Sequence, residues 1–190
     1  MINQTQLCFG QKIDPKTWHL FPWFTHGALD VLDGMDLSDK NILEWGSGSS
    51  TVWFAAKAKS VVSIEANSEW YGKVVQELNQ HNLFHKVNLI LRQTNEGDQS
   101  KIDYYTEVPE GFKPDIVVVD GILRYECILK ALTLPRPLTL IVDNWMQSYV
   151  FMCPAAEEAL KGFKSLIFEQ ADHTDNDGIN KWKTAIFEIV

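Results

Sequence analysis

Four apolar runs in this chain end on residues that can do chemistry. Ile42-Leu43 runs into Glu44, Val61-Val62-Ser63-Ile64 into Glu65, Val117-Val118-Val119 into Asp120, and Leu140-Ile141-Val142 into Asp143 followed by Asn144. Between the first two acids lies Gly46-Ser47-Gly48-Ser49-Ser50-Thr51. Gly46 and Gly48 are free to take positive φ and let a ligand approach the backbone. Ser49, Ser50 and Thr51 offer capping hydroxyls to a helix over 52–59. A strand, a glycine turn and a helix start together form a general cradle for a nucleotide-like ligand. The turn is not a dinucleotide fingerprint, because Thr51 stands where the third glycine belongs, and it lacks the Gly-Lys-Ser/Thr ending of a P-loop. Glu65, about twenty residues past the turn, is placed to accept hydrogen bonds from two ribose hydroxyls, with Ala66 beside the base. Gln93 to Asn95 follow the next strand and are candidates to read the base edge.

The elements that position these residues alternate. Strands are expected at Asn41–Trp45, 60–66, 86–91, 115–119 and 138–142, and helices at 22–32, 52–59, Ser68–Gln80, 123–132 and 154–161. The region 92–113 has few apolar repeats and reads as loops with one short helix. Strands alternating with helices argue for a mostly parallel sheet covered on both faces. Two further strands, 164–169 and 183–190, have no helix between them and must pair antiparallel, since a parallel crossover needs about a dozen residues or more. Their connection, 173–180, is polar, with Asp177-Gly178 a hairpin signal. Residues 1–17 read as an N-terminal arm and 18–190 as a single domain.

Composition narrows the function classes. The chain has 190 residues and a formal net charge of −8, with no Lys/Arg cluster of the kind that marks nucleic-acid binding. No apolar run is long enough to cross a membrane. Cys8, Cys127 and Cys153 lack metal-ligand spacing and suit reduced thiols in a cytoplasmic protein. Trp18, Phe21, Trp23 and Phe24 form an aromatic entry segment, a hydrophobic lid or a packing face, and His26 beside them has a pKa suited to base catalysis. His81 and His85 are expected to be structural.

The acidic-x-Gly-x-Gly form of Glu44-Trp45-Gly46-Ser47-Gly48 resembles motif I of class I S-adenosylmethionine (SAM) dependent methyltransferases, and Val62-Ser63-Ile64-Glu65 resembles their motif II. The resemblance spans 18–190. It implies a Rossmann-like α/β fold: a mostly parallel seven-stranded sheet, its last strand antiparallel, with helices on both faces. It also implies SAM held by Glu44, Gly46, Ser47, Gly48, Ser50, Thr51, Glu65, Ala66 and Asp120, with Glu44 holding the ammonium group through water. Asp120, Asp143 and Asn144 match the strand-end residues that hold Mg2+ in catechol-type O-methyltransferases. That family's catalytic lysine has no match; Arg124 stands nearby, a possible clamp for an acidic acceptor. Asp120 and His26 are the candidate catalytic residues. The Asn/Asp-Pro-Pro-aromatic motif of amino-directed enzymes is absent, Asp120-Gly121-Ile122-Leu123 standing there. The expected activity is therefore methyl transfer to oxygen on a small molecule or glycan precursor. An aminopropyl-type transferase and a non-catalytic SAM-binding scaffold are the alternatives.

Overall fold

The computed structural model describes residues 21–94, 98–145, 154–171 and 181–190. The arm at 1–17, Trp18, Asn95, Cys8, Cys153 and the 173–180 connection lie outside the described residues. Seven strands form one sheet: β1 (Asn41–Trp45), β2 (Ser60–Glu65), β3 (Val87–Leu91), β4 (Ile116–Val119), β5 (Leu138–Asp143), β6 (Lys164–Ala171) and β7 (Lys181–Ile189). The order across the sheet is β3-β2-β1-β4-β5-β7-β6. The first five strands run parallel, and β7 enters antiparallel between β5 and β6. The α-helices are α1 (His26–Asp33), α2 (Ser49–Lys57), α3 (Ser68–Gln80), α4 (Gln99–Thr106), α5 (Arg124–Ala131) and α6 (Pro154–Leu160).

Strand alternation sorts the side chains into two cores. Leu43, Trp45, Val62, Ile64, Val117, Val119, Leu140 and Val142 pack with residues of α4, α5 and α6 on one face. Ile42, Val61, Ile116, Val118 and Ile141 pack with α1, α2 and α3 on the other. Because successive strand residues point to opposite faces, Glu44, Ser63, Glu65 and Asp143 fall on the α1–α3 face by parity alone.

Two boundaries moved for identifiable reasons. The first helix begins at His26 rather than at 22, because the Thr25 N–H donates to the Thr184 hydroxyl (2.9 Å) instead of entering a helical ladder. The second begins at Ser49, with Gly48 as its N-cap. Helix α3 stands where expected, its Asn67 side chain accepting from the Glu69 and Trp70 amides. The one short helix expected within 92–113 is α4.

Candidate functional site

The order β2-β1-β4 reverses direction at β1, and in open α/β sheets ligands bind beyond the carboxyl ends of strands at such a switch point. A cavity of about 340 Å³ opens there, and Gly46, Ser47, Gly48, Ser50, Glu65, Ala66 and Asp120 line it. These seven expected donor-holding residues are brought together there. Trp23 and Arg124, also singled out in the sequence, join them, with Ser49, Asn67, Trp70, Tyr105, Gly121 and Ile122.

The two glycines of the turn do different work. Gly46 has φ +96°, a left-handed conformation, and its backbone lies against that of Gly121 at the end of β4. Gly48 is extended, at φ −178°, so no positive φ is needed there. Trp70, on α3, donates its indole N–H to the Ser47 carbonyl and stands edge-on to Trp23, ring centroids 6.3 Å apart. Trp23 is therefore at the cavity mouth, whereas Phe24 is buried in the core.

Glu44 and Thr51, two of the expected donor-holding residues, are not among those that line the cavity. Glu44 is fully buried and faces α2, whose first turn meets it. It accepts from the hydroxyls of Ser50 (2.5 Å), Thr51 (2.5 Å) and Ser63 (2.6 Å). Thr51 in turn accepts from the Gly48 N–H (2.9 Å), so its hydroxyl both caps the helix and reaches the acid. Glu44 thus fastens the start of α2 to β1 and β2. Burial raises its pKa to about 7 against the opposing pull of the three hydroxyls.

Glu65 is part of the cavity wall. One of its oxygens accepts from the Ser47 amide (2.8 Å) and hydroxyl (3.0 Å), the other from the amides of Ala66 (2.8 Å) and Asn67 (2.7 Å). The carboxylate is therefore fixed in orientation at the edge of β2, and of its four donors only the Ser47 hydroxyl can rotate away to open an acceptor position on it.

Asp120 lies at the opposite side, about a quarter of its side chain exposed. Its pKa is raised to about 6, chiefly by burial, with Arg124 pulling down and the Glu65 charge pushing up.

The metal arrangement does not form. Asp143 points to the α1 face and accepts from the Thr184 hydroxyl (2.5 Å) and the Trp182 indole (3.0 Å to its nearer oxygen). The centre where a cation would sit holds the Arg124 guanidinium instead. Its Nε donates to Gly121 O (2.8 Å), one terminal nitrogen to Asp143 O and Asn144 Oδ1 (2.9 Å), and the other to Asp120 O (2.9 Å) and Oδ1 (3.2 Å). Among the described residues these five hydrogen bonds match the five N–H groups of a guanidinium. Arg124 therefore ties the ends of β4 and β5 together while also lining the cavity, and Asp120, Asp143 and Asn144 do not converge on one point as the metal reading required. Among the described residues no group of three or more His, Cys, Asp or Glu converges as a metal site.

His26 opens α1, its amide donating to the Gln170 side chain (2.8 Å), and it is not among the residues that line the cavity. Gln93 and Thr94 are not either. Sequence reasoning missed Tyr105 and Trp70. Trp70 carried a usable signal, since it sits in the first turn of a helix that starts three residues after Glu65.

No family model and no curated protein sequence matches the chain. Solved structures do. The O-methyltransferase TomG from Streptomyces achromogenes, involved in tomaymycin synthesis and solved in complex with SAM, aligns over 93% of this chain and 82% of its own, with 20% identity and a TM-score of 0.61. A methyltransferase-like protein from Silicibacter pomeroyi covers 88% of each chain with 24% identity and a TM-score of 0.60. An rRNA methylase from Streptococcus thermophilus aligns over 87% of this chain and 95% of its own, with 20% identity and a TM-score of 0.60. The strand order, the antiparallel β7 and these neighbours agree: the chain has the Rossmann-like fold of class I SAM-dependent methyltransferases.

Proposed function

We propose that the protein is a SAM-dependent methyltransferase acting on an oxygen nucleophile of a small molecule or glycan precursor. The observation that carries this reading is the placement of Glu65 and Asp120 on either side of the Gly46 turn in one cavity at the switch point. The residues fit the donor: a preset carboxylate for a ribose diol, a glycine turn at a helix start, and a second acid towards a cationic centre. When bound, SAM supplies a methyl group already activated by its positive sulfur.

The chain's own residues then have distinct tasks. Glu65 holds the diol and fixes the donor's rotation. Asp120, ionised at neutral pH with a pKa near 6, accepts the proton of the acceptor hydroxyl as the oxygen–carbon bond forms, a role that works best when the base's pKa lies near the working pH. Trp23 and Ile122 are the apolar residues at the mouth that exclude water from the reacting atoms. Arg124 holds the Asp120 main chain and carboxylate in register with β5.

Calorimetric titration tests the reading. SAM and S-adenosylhomocysteine should bind and NAD should not. Glu65→Ala should weaken SAM by about 1.5–3 kcal/mol, the worth of hydrogen bonds to a charged group. Parental affinity in that variant would remove the ribose assignment.

A further inference from the structure

Glu44 and Ser50 meet at the wall of the cavity. The acid is fully buried on β1, and the serine, 3% exposed, lines the cavity from the first turn of α2. A Cβ on Gly48 would lie 3.9 Å from the Ser50 Oγ and 3.6 Å from the Trp70 indole nitrogen, which groups the hydroxyl with two other cavity residues. The two oxygens of Glu44 are not equivalent. Oε2 accepts from Thr51 and Ser63, whereas Oε1 accepts from Ser50 (2.5 Å). Thr51 and Ser63 are wholly buried, and Thr51 already accepts from the Gly48 amide. A proton added at Oε2 would displace one of their hydroxyl protons into the interior, where the contact between the two hydroxyls is long, at 3.4 Å. A proton added at Oε1 displaces the Ser50 proton, which has the cavity to turn into. Protonation therefore falls at Oε1. A hydroxyl has one proton and two lone pairs. Ser50 thus shows the cavity lone pairs while Glu44 is ionised, and its proton once Glu44 is protonated.

From this arrangement, and resting on the methyl-donor reading above, we infer that Glu44 is a positioning residue acting through Ser50: the ionised acid holds the hydroxyl as an acceptor for the ammonium group of the bound molecule, and protonation reverses the hydroxyl and weakens that hold. The ammonium is assigned by chemistry. An acceptor backed by a buried carboxylate favours a positive N–H group and opposes an anion, and the ammonium is the positive N–H group that SAM and S-adenosylhomocysteine share. The ribose hydroxyls are neutral and have Glu65. Burial, against the pull of the three hydroxyls, puts the change at about pH 7. Asp120, at the end of β4, pushes in the same direction as burial, and Glu65 on β2 and Arg124 on α5 are the other charged groups of the cavity. Among the described residues α1 and α3 lend the acid no hydrogen bond.

Calorimetry on the wild type, Ser50→Ala and Glu44→Gln tests the inference, with S-adenosylhomocysteine and its deamino analogue as ligands over about pH 5.5–8.5. Neither ligand carries a sulfonium, and the ratio of their affinities isolates the ammonium. In the wild type that ratio should rise about three- to tenfold with pH, the range of one hydrogen bond, around a midpoint near 7. In both variants it should stay flat: Ser50→Ala lacks the hydroxyl, and the Glu44→Gln amide donates to Ser50 at every pH. If one variant does not fold, the other decides. A flat or falling ratio in the wild type would overturn the inference. A rise that survives in either variant would assign the dependence to Asp120 and overturn it too. Failure of the wild type to bind S-adenosylhomocysteine at all would instead dismiss the methyltransferase reading, and this inference with it.

Discussion

Gly46 and Gly121 touch backbone to backbone: a Cβ on Gly46 would lie 2.3 Å from the Gly121 nitrogen, and one on Gly121 would lie 2.9 Å from the Gly46 Cα. The space that glycine leaves open at position 46 is filled by the neighbouring strand's turn, not kept for the ligand. Gly46→Ala should therefore damage the fold itself, through a strained positive φ and a clash with main chain that cannot rotate away, at a cost of about 2–4 kcal/mol. Gly48→Ala, extended and with its nearest neighbour at 3.6 Å, should melt within a few degrees of the parent. Thermal melts of the two variants side by side check the contrast; equal losses would refute it.

Arg124→Met should be among the most damaging single changes. It strands the Asp120 carboxylate, the Asn144 side chain and three carbonyls that the guanidinium now serves. Removing one partner of such a buried set costs about 3–5 kcal/mol. Because those oxygens are already engaged, EDTA should leave both the melting temperature and SAM affinity unchanged. A chelator-sensitive melt would contradict the assignment of Arg124 as the cation at this centre.

Glu44 has a pKa raised from 4.5 to about 7. A raised folded-state pKa means that the folded protein favours the protonated acid. The resulting stabilisation is present below pH 4.5 and is lost as pH rises through 7. The loss is of order 3 kcal/mol, at ~1.4 kcal/mol per pH unit. Asp120 and Asp143 are shifted in the same direction, so the difference between proteins is the useful quantity. Denaturant unfolding of wild type and Glu44→Gln across pH 4.5–8 should show the parent losing stability relative to the variant as pH rises. A constant difference would mean that Glu44 stays ionised throughout.

Turnover should depend on Asp120 in its ionised form. The kcat/KM profile for methyl transfer should fall on the acid side with an apparent pKa near 6. Asp120→Asn should remove that limb and lower the rate by about 10²–10⁴-fold, the span of general-base catalysis. SAM affinity should change far less than kcat. A variant that keeps its acid limb would move the proton acceptor elsewhere.

Much of this architecture was legible because it is local. Alternating apolar runs gave β1 to β5, the missing helix between the last two strands gave their antiparallel pairing, and the glycine turn with Glu65 gave the cavity. What escaped detection is nonlocal or a matter of facing. Asp143 and Asn144 are adjacent in sequence, yet parity turns Asp143 towards α1, where Thr184 and Trp182 hold it. Strand alternation beside Ile141 already carried that information. Arg124 was visible near the acids, but nothing in the sequence told that all five of its donors would be spent on strand ends. Tyr105 lies in a helix of weak periodicity, and its place at the cavity comes from sitting under Gly121, sixteen positions away, a relation that no spacing rule encodes.

The placement of β7 also bears on how the molecule is made. This strand follows all the others in the chain, yet it is inserted between β5 and β6 and pairs with both. A growing polypeptide that still lacks residues 181–189 can assemble β1 to β5, but β6 has nothing to pair with, and Asp143 is buried without Trp182 and Thr184. The start of α1 waits as well, since the Thr25 amide is held by Thr184, 159 residues later. Contacts that close such long loops are slow to form. The first helix and the last strand must therefore lock together in one late event, and a ribosome-bound chain stalled before residue 181 would expose the β5 edge to any other strand nearby.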